Sequence, residues 1–258
     1  MTTTQSRLTS VVCAAAFVAS LAGCFAQAGL AQDPLLTKVR SGDDVTIALL
    51  GTSLTDGGAW PGYLQTWLNS ESGGGTITVH NFAVGGTSSS HGLSTQTPQA
   101  LAVNPDAVFI EFGINDGADT LNVSLELSQS NLDAMIDAFL TQDPNTTVIL
   151  QTMNNVAADT TPFSPRSNLA AYYKIYQDTA ASRGLTLIDH YPNWLDLYDN
   201  DLETWNTYMN DAVHPNAAGQ TNVLMPELKS VLLNEVPEPA SMMLLGIAML
   251  GLLGLRRR

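Results

Sequence analysis

Four short segments of this chain carry residues suited to acyl-transfer chemistry. A serine hydroxyl is a weak nucleophile until a base removes its proton, so such chemistry needs a nearby imidazole oriented by an acceptor. It also needs N–H donors aimed at the oxyanion that develops on the carbonyl. Gly51-Thr52-Ser53-Leu54-Thr55 puts a serine at a tight strand-to-helix turn, with an exposed hydroxyl and a free backbone N–H. Asn81-Phe82-Ala83-Val84-Gly85-Gly86 ends in glycines whose N–H groups no side chain obstructs; Gly86 is preferred to Gly85 as a donor, although residue type does not separate them. Gly113-Ile114-Asn115-Asp116 supplies the Asn115 carboxamide as a further donor. In Asp211-Ala212-Val213-His214 a carboxylate precedes an imidazole by three residues, so Asp211 can accept from one ring nitrogen while the other faces Ser53.

In type, order and position these segments resemble the blocks of the SGNH (GDSL-like) hydrolases, and the resemblance covers most of residues 45–232. It implies a flavodoxin-like α/β/α sandwich with Ser53 as nucleophile and Asp211 and His214 completing a triad. It implies an oxyanion hole of the Ser53 and Gly86 N–H groups and the Asn115 carboxamide, and neither a metal nor an organic cofactor. The chain departs from the pattern once. The first block usually reads Gly-Asp-Ser-Leu, and here Thr52 replaces the aspartate. Threonine still hydrogen-bonds locally, so the expected effect is on support of the turn and not on the chemistry itself.

Each of these residues has a plainer role available. Ser53 could be a helix cap, Asn115 and Asp116 turn residues, the glycines backbone adaptors and His214, before Pro215, a surface histidine. His80, His91 and His190 have no carboxylate at comparable spacing, apart from Asp189 beside His190, and count as bystanders. His91, in a serine-rich loop, could line a pocket.

The elements that must position these segments alternate along the chain. Asp44–Leu50, Thr76–Val79, Ala107–Phe112, Thr147–Gln151 and Leu185–Ile188 are short apolar or β-branched runs, as in strands buried on both faces of a parallel sheet. Trp60–Leu68, Leu125–Leu140, Ser167–Arg183 and Asn216–Leu233 read as helices. This alternation predicts one three-layer α/β/α domain around a parallel sheet of about five strands. In such sheets functional groups collect at the carboxyl ends of the strands, where the first three segments fall.

The domain is expected to span residues 33–235, between two address segments. Residues 1–32 read as a signal peptide for signal peptidase, with Arg7, an apolar run Val11–Ala22 and small residues at Ala26-Gln27-Ala28. Leu21-Ala22-Gly23-Cys24 also resembles a bacterial lipobox, which leaves lipidation of Cys24 open. Residues 236–258 combine Val236-Pro237-Glu238-Pro239, an apolar run Met242–Leu255 and three terminal arginines. The order resembles a PEP-CTERM sorting signal, which implies transient membrane association, processing by an exosortase-type enzyme and delivery to the cell surface or extracellular matrix. A simple C-terminal anchor is the plainer alternative.

Composition narrows the functions. The formal charge is −14, and of the ten basic residues only Lys38, Arg40, Arg166, Lys174, Arg183 and Lys229 lie in the domain. So acidic a body excludes nucleic acid and anionic lipid surfaces as partners. Both cysteines, Cys13 and Cys24, precede the domain, and four scattered histidines make no metal cluster. No Gly-x-Ser-x-Gly pentapeptide occurs, against a standard α/β-hydrolase. The expected activity is therefore a secreted serine esterase acting on a small-molecule or polysaccharide ester, with O-acetyl groups of extracellular carbohydrate as the favoured substrate. Trp60, Trp194 and Trp205 could stack on sugar rings or pack in the core. The rival from another class is a non-catalytic surface or matrix protein that keeps the fold, which only Thr52 favours.

Overall fold

The computed structural model describes residues 33–234. The expected signal peptide, the sorting segment and both cysteines lie outside these residues. Five parallel strands form one sheet in the order β2-β1-β3-β4-β5. They are β1 (Val45–Leu50), β2 (Ile77–Asn81), β3 (Ala107–Ile110), β4 (Thr147–Thr152) and β5 (Thr186–Asp189).

Alternation along β1, β3 and β4 explains why successive apolar residues feed two separate cores. Ile47, Leu49, Phe109 and Ile149 point to one face, where helices Pro34–Ser41, Trp60–Glu71 and Met225–Leu233 cover them with Leu36, Leu64, Leu68, Leu228 and Leu232. Ala48, Leu50, Val108, Ile110, Val148 and Leu150 point to the other, against Leu132, Met135, Ile136 and Phe139 of helix Leu125–Gln142 and Tyr176 and Ala180 of helix Leu169–Arg183. A strand between two helical layers therefore reads as a near-continuous apolar run. The fold is the expected three-layer α/β/α sandwich.

Several helical pieces were not legible in the apolar pattern. Pro34–Ser41 packs ahead of β1, capped by the Asp33 carboxylate accepting from Leu35 N. Tyr191–Asn200 and Leu202–Tyr208 follow β5. The last helix, expected to run from Asn216 to Leu233, is divided into Ala217–Gly219, a π turn Gln220–Leu224 and Met225–Leu233. A second π turn, Gly92–Gln96, lies between Ser89–His91 and Thr97–Leu101. Each π turn is followed two residues on by a proline, Pro226 or Pro98, whose missing N–H prevents the ordinary helical bond.

The path of the chain after His214 is set by side-chain contacts. Gln220 Oε1 accepts from Ala59 N and Trp60 N at the start of helix Trp60–Glu71, and Lys229 lies 5.7 Å over the Trp67 ring near its end. The two helices therefore run side by side in the same direction. The segment after Glu71 meets the beginning of β1, where Val45 N donates to Thr76 O and Thr76 N to Asp44 Oδ1. Leu233 and Asn234 accordingly lie toward the amino edge of the sheet.

Candidate active site

Ser53 stands just past the carboxyl end of β1, as the first residue of the short helix Ser53–Asp56. Thr52 caps that helix, its hydroxyl accepting from Leu54 N at 3.3 Å and its carbonyl from Thr55 N and Asp56 N. At the first position the Ser53 N–H has no partner within the helix, as helix geometry requires. The Ser53 hydroxyl meets His214 Nε2 at 2.9 Å. On the far side of the ring, Nδ1 lies 3.0 and 2.9 Å from the two Asp211 oxygens. A carboxylate only accepts, so Nδ1 carries the ring proton and Nε2 is left to accept from the serine hydroxyl.

The Asp211–His214 loop is held from several directions. Val213 N and His214 N both donate to Asp211 Oδ1, at 2.8 and 2.7 Å. Asn210 N donates to His214 O, closing the loop on itself. Ala157 N and Asn154 Nδ2 tie Ala212 O and Val213 O to the segment after β4. Burial pushes the Asp211 carboxyl up, but the two backbone N–H donors and the ring hydrogen bond from His214 outweigh it and hold the group below its ordinary value. The Phe163 ring stands edge-on to His214, with centroids 5.2 Å apart.

Gly86 and Asn115 flank the serine. Gly85 N donates to Asp56 Oδ2, whereas the Gly86 N–H has no protein partner among the described residues. Gly86 adopts φ 74°, a left-handed conformation that favours glycine, with open space where a Cβ would stand. A Cβ built on Gly85 would come within 3.4 Å of Ser53 Cβ, which puts this turn against the serine. Asn115 Nδ2 donates one hydrogen to Thr87 O at 2.9 Å, next in sequence to Gly86, and keeps the other unused. Its Oδ1 faces Arg166 Nη2 at 3.5 Å, while Arg166 Nε donates to Ile114 O at 2.9 Å. The structure thus brings together the five residues singled out in the sequence, and the unused N–H favours Gly86 over Gly85.

Of the other residues at the site, Asp116 was named only with its segment and Glu111 was not singled out. Asp116 is buried, accepting from Ser89 N and the Ser128 hydroxyl, and burial pushes its carboxyl up. Glu111 sits beneath the Thr52–Ser53 turn; a carboxylate inside the apolar run AVFIEF was the signal that could have found it. A cavity of about 440 Å³ lies beside Arg166, lined also by Asn155, Thr160, Leu169, Tyr191 and Tyr198. His190 is fully buried beside Gln151, and burial pushes its imidazole down to about 3, so it is neutral. Trp60, Trp194 and Trp205 are buried in the core and unavailable to stack on a sugar. Among the described residues no cluster of His, Cys, Asp or Glu is arranged to hold a metal ion.

A Ser–His–Asp chain at the carboxyl edge of a five-stranded parallel sheet, without a Gly-x-Ser-x-Gly elbow, marks a class of α/β hydrolases. The chain belongs to the GDSL-like Lipase/Acylhydrolase family, which residues 49–221 match. Residues 235–258 match the PEP-CTERM protein-sorting motif, a bacterial signal for export and surface sorting. Solved structures share the fold. A lipase/acylhydrolase from Enterococcus faecalis is 21% identical over 72% of this chain and 95% of its own, with a TM-score of 0.59. An acetylxylan esterase from Geobacillus stearothermophilus is 19% identical over 75% of this chain and 96% of its own, with a TM-score of 0.60. A two-domain esterase active on acetylated mannans is 21% identical over 80% of this chain and 53% of its own, with a TM-score of 0.60. Among curated proteins, no sequence matches this chain. No helix among the described residues is long and apolar enough to cross a membrane.

Proposed function

We propose that the protein is an exported serine esterase that removes O-acetyl groups from extracellular carbohydrate. The observation that carries this reading is the continuous Ser53–His214–Asp211 hydrogen-bond chain, 2.9 Å at each link, beside three N–H groups without acceptors among the described residues. His214 Nε2 takes the Ser53 proton as the hydroxyl oxygen attacks the ester carbonyl. Asp211 holds the ring in the required tautomer and stabilises the imidazolium that forms. The oxyanion is received by Ser53 N–H, Gly86 N–H and the free Asn115 Nδ2 hydrogen. As the bond from the acetyl carbon to the sugar oxygen breaks, His214 gives its proton to that oxygen, the acetyl group stays on Ser53, and water activated by the same imidazole releases acetate.

The choice of carbohydrate rests on three supports. Two proteins that share the fold are described as acting on acetylxylan and on acetylated mannans. The sorting motif directs the chain to the surface, where polysaccharide is met and where an exosortase-type enzyme would process the tail after transient membrane association. The cavity beside Arg166 offers Tyr191 and Tyr198, both only partly buried, to a sugar ring.

The test is acetate release from acetylated xylan and mannan, with p-nitrophenyl acetate alongside, by the native protein, Ser53→Ala and His214→Ala. Activity lost by orders of magnitude in both variants is expected. A Ser53→Ala variant as active as the native protein would overturn the mechanism. Cleavage of long-chain esters with no acetate released from polysaccharide would overturn the substrate.

A further inference from the structure

Glu111 is the one acidic residue in the run Ala107–Phe112, and its side chain is almost wholly buried, at 1% exposed. Burying a carboxylate is strongly unfavourable unless its oxygens are well satisfied, so its partners matter. All of them belong to one short segment. Thr52 N donates to Oε1 at 2.7 Å and the Thr55 hydroxyl to the same oxygen at 2.7 Å. The Thr52 hydroxyl lies 3.1 and 3.2 Å from the two oxygens. These donors stand one residue before Ser53 and two residues after it. Because the Thr52 hydroxyl donates to Glu111, it can also accept from Leu54 N, so the helix cap and the carboxyl bonds form one chain.

The local backbone is shaped around this contact. A Cβ at position 51 would stand 2.3 Å from Glu111 Oε1, so only glycine lets the carboxyl reach the turn. From the opposite side, buried Gln96 accepts from Gly51 N at 2.8 Å and donates to Gly51 O at 3.0 Å. The turn that aims Ser53 is therefore gripped by two side chains from distant parts of the chain. Position 52 holds threonine where the first block of this family usually has aspartate, and a carboxyl reaches that position from the residue after β3 instead.

We infer that Glu111 is the positioning residue for Ser53, fixing its hydroxyl against His214 and its N–H in the oxyanion hole from outside the nucleophile segment. This rests on the serine-esterase reading of the same site. Glu111 touches neither the imidazole nor the oxyanion donors at Gly86 and Asn115, so it acts through the Thr52–Thr55 backbone. Burial raises its carboxyl to about 7, with the charge of Asp116 adding to the rise; the other titratable groups coupled to it are the phenols of Tyr173 and Tyr176. Glutamine is isosteric with the protonated acid. Its amide oxygen can accept from Thr52 N and Thr55, and its nitrogen can donate to the Thr52 hydroxyl.

The experiment compares kcat and KM of the native protein, Glu111→Gln, Glu111→Leu and Thr55→Val on p-nitrophenyl acetate, with Ser53→Ala beside them. A displacement of a reacting group by about 1 Å lowers rates by about 10²-fold. Glu111→Leu should lose about that factor in kcat with KM within about threefold. Glu111→Gln should keep kcat within about threefold, a rescue by hydrogen-bonding shape. Thr55→Val, which removes one bond and leaves the core intact, should lose roughly tenfold in kcat alone. If Glu111→Leu does not fold, Thr55→Val and Glu111→Gln decide. Ser53-dependent activity unchanged in Thr55→Val and in any folded Glu111→Leu would overturn this inference alone, as would a change confined to KM. Activity independent of Ser53 would overturn the esterase reading and this inference with it.

Discussion

Replacing Glu111 by glutamine should alter how stability depends on pH, separately from any effect on rate. The folded protein holds this carboxyl at about 7, against 4.5 for the free group, because burial penalises the charge more than its three donors favour it. The native fold therefore binds the proton more tightly than the unfolded chain does. The stability this supplies is fully present below pH 4.5 and is lost as pH rises through about 7. At 1.36 kcal/mol per pH unit, the interval corresponds to about 3 kcal/mol, of which about 2–3 kcal/mol falls between pH 5 and pH 8. Glutamine cannot ionise and lacks this dependence. Asp33 is also raised by burial but is common to both proteins and cancels in the difference, whereas Asp116, whose charge couples to that of Glu111, cancels only in part. Urea unfolding of both proteins at pH 5 and pH 8 should show the variant gaining about 2–3 kcal/mol on the native protein at the higher pH. In thermal unfolding the gain amounts to about 5–10 °C for a domain of this size. A difference in stability that stays constant from pH 5 to pH 8 would refute the reasoning, since the carboxyl would then be ionised throughout.

Three further outcomes follow from the site geometry. Asn115→Ala should lower kcat by about 10²–10³-fold with little change in KM, because the lost N–H acts only on the developing oxyanion; a change mainly in KM would argue for a binding role. Asp211→Asn should lower kcat by about 10³–10⁴-fold at neutral pH, because an amide facing Nδ1 permits the wrong tautomer, and steady-state kinetics would check this. Gly86→Ala has room for its methyl group but must hold φ 74°, so it should lose about 1 kcal/mol of stability in urea unfolding as well as activity.

The sandwich was legible because a strand between two helical layers leaves a signature in one dimension. Ile47 and Leu49 feed one core and Ala48 and Leu50 the other, so β1 is apolar at every position from Ile47 to Leu50. The site residues were legible in type because each sits in a short segment whose neighbours share its loop. What was hidden depends on contacts between remote parts of the chain. Glu111 meets Thr52 across 59 residues, and Gln96 meets Gly51 across 45. Gln220 meets Ala59 across 161, and with Gly219 and Pro226 this divides a helix whose apolar spacing reads as continuous. Residue type could not separate Gly85 from Gly86 either. The difference lies in Asp56, whose carboxylate takes the first N–H and leaves the second unpaired.

The course of the last helix has a consequence for orientation. After His214 the helical run from Ala217 to Leu233 carries the chain about 25 Å, beside helix Trp60–Glu71, to the amino edge of the sheet. The sorting motif begins at residue 235, one position after the last described residue. The described domain therefore ends at the pole remote from Ser53. On the exported-esterase reading, whatever is joined to the domain through residue 234 is joined on the side away from its catalytic mouth.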